Sequence, residues 1–413
     1  MTSGTSPQGL KYAVRRSGRA VAYCALSIGC GTRDEKGYPA GIAHFVEHNL
    51  FRGTRRKSAA VINGFLDKLG GELNAYTTKE EIVLHATVLK EDWKKAAGLL
   101  FELATEATFP QTEIETERGV VLDEIISYKD NPSEDVYDRF ETLLFEGTPL
   151  ETPILGTAAS VRKITPEMLR QFVAEKFVPS RMAFTVVADI DEAVLEKDLL
   201  KMVSGIQAFS EKACIPSTNN TLPCTKKDVL PFHKVIDKRH HEVNAVIGCR
   251  APSLYETPQR LVCAMLANIL GGPASNSLLN KELREKRGWV YGIECSYTQY
   301  ADTGILAITF GCDRPNLEAC QKAIDKILKR LCEVPFTDAQ LKAYRKQLLG
   351  QLAISADAGE AQCLSMGKSM LSWGSIMSPE ETRSALSAIT PADLQKMAAR
   401  LFSPDSLCSL VYL

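Results

Sequence analysis

The segment Ile164-Thr165-Pro166-Glu167-Met168-Leu169-Arg170-Gln171-Phe172-Val173-Ala174-Glu175-Lys176-Phe177-Val178-Pro179 has an echo later in the chain, and the echo decides the fold. Ile389-Thr390-Pro391 is followed by Phe402 and Pro404 at a constant offset of 225 (389 − 164 and 404 − 179). Phe109 with Arg118 returns as Phe336 with Arg345, offset by 227 (336 − 109 and 345 − 118). Matches in one order at near-constant spacing indicate internal duplication. A chain of 413 residues with 45% hydrophobic content is also too long for one core, since single domains stop growing at about 250 residues. From about Phe209 to Asp228 the pattern fails, and Pro216, Ser217, Asn219, Asn220 and Pro223 mark a linker. We expect related domains over 1–210 and 229–413, joined by 211–228.

Within this frame apolar strand-like runs alternate with longer amphipathic helices. Ala20 to Gly29 reads as a strand, Pro39 to Phe51 and Ser58 to Leu69 as helices, Glu81 to Leu89 as a strand and Glu91 to Ala107 as a helix. The organisation is α+β.

The helical pattern at Pro39 to Phe51 contains His44-Phe45-Val46-Glu47-His48, an H-x-x-E-H pentapeptide. Histidines at i and i+4 share a helix face about 6 Å apart, so two imidazoles can reach one metal. Glu47 projects beside them, while Ile42, Phe45, Val46 and Leu50 can anchor the other side in the core. A bare i, i+4 histidine pair reads as two ordinary helix residues. The interposed Glu, and only six histidines in the whole chain, turn the reading towards an inverted zinc motif.

A catalytic zinc needs a third protein ligand and an open position for water. His85 sits on a strand-like run where a core histidine is the plainer reading; His233 is a further possibility; His240 and His241 abut Lys238-Arg239 and read as solvent-facing. A carboxylate from the helix Gln111 to Asp130 suits better, because Glu113, Glu117 and Glu124 share one face. Spacing alone does not choose between Glu117 and Glu124.

With these residues in place, the chain resembles the inverted-motif zinc metallopeptidases that include pitrilysin, insulin-degrading enzyme and the mitochondrial processing peptidases, as a short two-domain member of bacterial type. The resemblance rests on Gly41 to His48, Leu50-Phe51-Arg52-Gly53-Thr54, Glu117-Arg118 and Asp123-Glu124-Ile125. It implies Glu124 as third ligand and Glu117 as its support; the separation 124 − 48 = 76 fits the family. Gly70 to Thr78 resembles the edge strand on which Asn74 and Ala75 hold substrate, and Leu283 to Tyr291 resembles the segment whose Arg284 and Tyr291 bind substrate near the scissile bond. An exposed strand edge grips an extended peptide through its main chain. Asn49 departs from the apolar residue common in the family, and the second half lacks the ligands, with Gln351 opposite Glu124, so one zinc per chain is implied.

The resemblance implies two homologous α/β sandwich domains, each a mainly antiparallel sheet packed with helices. It also implies a zinc-dependent endopeptidase for peptides or unfolded segments, with Glu47 as general base. The working unit expected is a homodimer whose sites are completed in trans. Two other readings stay open: a catalytic subunit with a distinct inactive partner, and a non-catalytic structural subunit.

The 49 basic and 50 acidic residues nearly cancel and are interspersed, which argues against a nucleic-acid partner. No stretch approaches the roughly 20 apolar residues of a membrane span, Met1 to Pro7 is polar, and twelve scattered cysteines form no C-x-x-C pair. A cytoplasmic protein is expected. Gly29-Cys30-Gly31 lacks the third glycine of a dinucleotide loop, and neither a Walker loop nor a G-x-S-x-G elbow occurs.

Overall fold

In the computed structural model, which describes residues 1–212 and 230–413, strands and helices build two sheets flanked by helices. The expected linker 211–228 falls almost wholly outside the described residues. The first sheet comprises β1 (Thr2–Thr5), β2 (Lys11–Arg16), β3 (Val21–Ile28), β4 (Glu72–Thr77), β5 (Ile82–Leu89) and β6 (Met182–Ala188). The second comprises β7 (His233–Ile236), β8 (Glu242–Ala251), β9 (Val290–Gln299), β10 (Gly304–Asp313) and β11 (Cys408–Tyr412).

Their orders, β1-β2-β6-β3-β5-β4 and β7-β11-β8-β10-β9, match strand for strand once β1 is set aside. Each has one parallel pair in the same place, β2 with β6 and β7 with β11, and is otherwise antiparallel. The repeated sequence has a repeated physical role. Thr165 and Thr390 each cap a helix by accepting a backbone N–H, from Met168 and Asp393. Arg118 Nη2 donates to Ile164 O at 2.9 Å, and Arg345 Nη2 donates to Ile389 O at 2.9 Å.

Contacts divide the chain into two compact units, and these amend the contiguous halves. The first unit holds 1–125, 152–221 and 353–377; the second holds 126–151, 222–352 and 378–413. The physical reason is that each sheet has a second apolar face to cover. Ala13, Ala25, Val83, Ala183 and Val187 form that face in the first sheet, and Cys363, Met366 and Met370 of a helix from the later sequence cover it. In the second sheet Val246, Leu410 and Tyr412 are covered by Val136, Phe140 and Leu144 of a helix from the earlier sequence. Small residues permit the close approach: a Cβ on Gly367 would stand 2.5 Å from Ser27 Oγ.

Four helices matter below: α1 (Ile42–Leu50), α2 (Gln111–Lys129), α3 (Pro132–Leu144) and α4 (Gly359–Trp373). Helix α1 begins later than the expected Pro39 because Gly41, at φ +87°, turns the chain into it. Ile42, Phe45, Val46 and Leu50 are fully buried, each contributing about 1.5–3 kcal/mol. That anchor offsets the cost of burying the polar residues between them. Glu35 accepts the backbone N–H of Gly41 at 3.0 Å and of Ala43 at 2.9 Å, satisfying donors that the first turn leaves free.

Gly41→Ala is expected to lower stability by about 1–3 kcal/mol in urea unfolding, because it forces a left-handed φ on alanine and sets a Cβ 2.7 Å from Leu155 O. Gly64→Ala, mid-helix and facing open space, should instead stabilise by about 0.5–1 kcal/mol. Equal effects would remove the role assigned to Gly41.

Candidate metal centre

Helix α1 presents His44 and His48 one turn apart with ring centroids 4.5 Å from each other. Glu124 on α2 places Oε2 3.7 Å from His44 Nε2 and 3.4 Å from His48 Nε2. Donor atoms of all three residues lie within 4.8 Å of one another. Those separations are long for hydrogen bonds, and they suit a tetrahedral zinc, whose bonds of about 2.0–2.1 Å set ligand atoms roughly 3.3–3.4 Å apart. Two imidazoles and a carboxylate also form a donor set typical of a hydrolytic zinc, so the residues fit the metal.

The fold separates the two carboxylates that spacing left equivalent. Buried Glu117 turns to the far side of the His48 ring, where Oε1 meets Nδ1 at 2.8 Å, and Arg52 pairs with its other oxygen. A carboxylate on Nδ1 fixes the ring so that Nε2 faces the metal position. Asn49 is buried and spends its amide on Phe45 O at 2.8 Å, within helix packing.

Charge is arranged unevenly across the site. Burial, then the neighbouring His48, pushes His44 down to about 4, which keeps its imidazole neutral. Burial also opposes the charged form of His48, but the carboxylates of Glu117, Glu124 and Glu47 outweigh it and raise this ring to about 9. Glu47 is buried beside them, and burial raises its carboxyl against the opposing Thr77 hydroxyl and His48. Thr77 Oγ1 donates to Glu47 Oε2 at 2.8 Å, tying the end of β4 to this carboxylate.

Strand β4 is the outermost of its sheet, and among the described residues it pairs only with β5. Asn74 is exposed there, and Ala75 packs partly against the core. Arg284 and Tyr291 lie in the second unit. Arg284 belongs to a π-helical turn, Asn280–Glu285, and Tyr291 is the extra residue where the register slips between Gly311↔Gly292 and Cys312↔Val290. The Tyr291 hydroxyl donates to Asp313 Oδ1 at 2.7 Å.

In the second unit Asn268 Nδ2 donates to Gln351 Oε1 at 2.8 Å. Gln351 stands 227 residues after Glu124 (351 − 124). The second unit thus has a hydrogen-bonded amide where the first has this carboxylate. Sequence reasoning assigned no part to Glu35, Arg52 or Thr77. A lone acid in a loop, a basic residue after a helix and a strand threonine carry no periodic signal, and only proximity reveals them.

A family model described as Insulinase (Peptidase family M16) matches residues 11–158, and one described as Peptidase M16 inactive domain matches residues 163–348. A Bacillus subtilis protein named as an uncharacterized zinc protease is 28% identical over 395 residues, 95% of this chain and 93% of its own length. A Streptomyces coelicolor protein, also named as an uncharacterized zinc protease, is 29% identical over 379 residues, 89% of this chain and 80% of its own. The fold matches the crystal structure of a protease from Helicobacter pylori with a TM-score of 0.91 at 20% identity, over 100% of this chain and 99% of that one. It matches a peptidase M16 inactive domain structure from Pseudomonas fluorescens with a TM-score of 0.88 at 17% identity, over 100% and 97%.

His48→Ala and Glu124→Gln are each expected to lose bound zinc in elemental analysis of the purified protein. Glu117→Gln should keep the metal but weaken it by about 10- to 100-fold in a chelator competition, the usual effect of removing an orienting carboxylate. Full zinc content in Glu124→Gln at nanomolar free metal would remove this carboxylate from the ligand set.

Proposed function

Since the chain belongs to peptidase family M16, the insulinase family, we propose that it is a zinc-dependent endopeptidase that cuts peptides or unfolded segments of polypeptide. The observation that carries the proposal is the convergence of His44, His48 and Glu124 on one point beside the Glu47 carboxylate. The relatives' names as zinc proteases support it. One zinc ion per chain, held by those three residues, supplies Lewis acidity that polarises the scissile carbonyl and makes a water acidic enough to lose its proton near neutral pH.

Glu47 is the general base. It takes the proton of the attacking water and passes it to the amine as the peptide bond breaks. Burial raises its carboxyl, which favours holding the proton between the two halves of that task. Glu117 keeps His48 in register through Nδ1, and Arg52 holds Glu117 in place. Substrate is held as an added strand on the free edge of β4, at Asn74 and Ala75. The bond from Thr77 to Glu47 fixes how far along that edge the base can reach. A chain so gripped must have a free backbone, which selects peptides and unfolded segments over stable domains.

By family resemblance, Arg284 and Tyr291 act on substrate as well, with Tyr291 as an additional donor to the developing oxyanion. We propose a homodimer in which each second unit serves the partner's zinc site. Two copies about a two-fold axis would then carry two complete sites. A non-catalytic subunit is the weaker reading, since the full donor set and base survive in this chain.

Glu47→Gln is expected to retain zinc and to lower kcat by about 10²- to 10⁴-fold on an unstructured peptide, the range for loss of a general base. Near-normal turnover would exclude Glu47 as base. Mixing Glu47→Gln with Arg284→Ala/Tyr291→Phe under subunit exchange should restore up to about half the activity of one dimer. Verified heterodimers without recovery would exclude completion in trans.

A further inference from the structure

Two threonines stand side by side where β4 ends, and their hydroxyls do different work. Thr78 Oγ1 accepts the backbone N–H of Glu80 at 3.2 Å and of Glu81 at 3.0 Å, and donates to Glu81 O at 3.2 Å, which closes the turn into β5. That is the ordinary use of a threonine at a hairpin turn. Thr77 spends its hydroxyl elsewhere. It is the last residue of β4, paired with Ile82 across the ladder, and its Oγ1 crosses 2.8 Å to Oε2 of Glu47 on α1.

Among the described residues Thr77 is the only hydrogen-bond donor to either oxygen of Glu47. The bond goes to Oε2, so Oε1 is left without one. The last torsion of a glutamate side chain is broad and roughly two-fold, so the carboxylate has no strong preference of its own for which oxygen faces which way. One donor decides it. That donor is stiff, because branching at Cβ restricts χ1 of threonine and the backbone of β4 is held by its ladder with β5. Glu47 is buried, so a donor lost here is not freely replaced by solvent.

We infer that Thr77 is a positioning residue for the reaction proposed above, an inference that rests on the peptidase reading: by holding Oε2 of Glu47 it assigns the proton to Oε1 alone. The attacking water gives its proton to Oε1 while its oxygen bonds the scissile carbonyl carbon. The C–N bond then breaks with its electron pair on nitrogen, which takes the same proton from Oε1. A carboxylate whose oxygens changed places between these steps would carry the proton away from the leaving nitrogen. Thr77 opposes that exchange by keeping Oε2 bonded throughout. It acts through Glu47 and not on the peptide, so its contribution falls on the chemical step and leaves peptide binding alone.

The test uses the full-length, zinc-loaded chain and an unstructured fluorogenic peptide. It compares Thr77→Val, which keeps the branched shape and removes the hydroxyl, with Thr77→Ser, which keeps the hydroxyl and removes a methyl. Thr77→Val should lower kcat by about 10- to 100-fold, the scale of a misaimed catalytic group, with zinc retained and KM within about twofold. Thr77→Ser should recover kcat to within about fivefold of the unmodified chain, the remainder reflecting its looser χ1. Added to Glu47→Gln, Thr77→Val should cost nothing further, because both act through one carboxylate. Unchanged kcat in Thr77→Val overturns the inference. So do equal losses in the valine and serine variants, a rise in KM in place of the fall in kcat, a fall in kcat that tracks lost zinc, or a full additional loss in the double variant. An unmodified chain that binds zinc and leaves the peptide uncut overturns the peptidase reading, and this inference with it. Turnover by that chain with no loss in Thr77→Val overturns this inference alone.

Discussion

The site depends on how the first turn of α1 is held. Helix starts have N–H groups with no partner inside the helix, and here two of them are taken by one buried carboxylate, Glu35. Burial pushes the Glu35 carboxyl up to about 8, and the two backbone N–H bonds from Ala43 and Gly41 pull against that shift. The same loop is fastened to the turn after β4, where Thr32 N and Arg33 N donate to Thr78 O and Lys79 O at 3.3 and 2.9 Å. One short 3₁₀ segment, Thr32–Asp34, therefore fixes the start of the helix that carries the histidines and the end of the strand that faces substrate. Two elements that have to agree to within a fraction of an ångström share a single support.

Much of this could be read from the residues, and the remainder has identifiable physical causes. The helix with His44 and His48 was legible because its apolar stripe has the helical period and its interposed Glu47 has no packing purpose. Glu117 and Glu124 were not separable, since a step of seven returns nearly to the same side of a helix. What distinguishes them is which ring nitrogen each meets, a property of the approach between two helices. The exchange of α3 and α4 was illegible for a related reason. Periodicity reveals that a helix has an apolar face, while the sheet that covers it is chosen by long-range packing. The slip at Tyr291 leaves no trace either, because one added residue in a strand resembles ordinary variation in alternation.

The two units show how little needs to change for a duplicated frame to lose chemistry. The arginine that pins the helix cap is retained in both, with the same 2.9 Å contact. Where the first unit sets Glu124 before two imidazoles, the second sets Gln351 against Asn268. An amide pair satisfies itself, donor to acceptor, and needs no ion between its members. The first pair has no such internal solution, because a neutral imidazole and a carboxylate 3.7 Å apart are held too far to bond. The second unit is free to use its irregular features, the π-helical turn and the strand slip, for shaping a surface.

The exchanged helices carry a consequence for the integrity of the chain itself. A backbone cut between Lys212 and Leu230 would produce two fragments, yet each compact unit would still contain a helix from the other fragment. Separation would uncover Ala13, Ala25, Val83, Ala183 and Val187 on one fragment and Val246, Leu410 and Tyr412 on the other. Exposure of those apolar faces to water makes parting unfavourable. Connectivity between the halves is thus redundant for cohesion: a nicked molecule stays whole, and the two fragments, made separately, are natural candidates for reassembly by complementation.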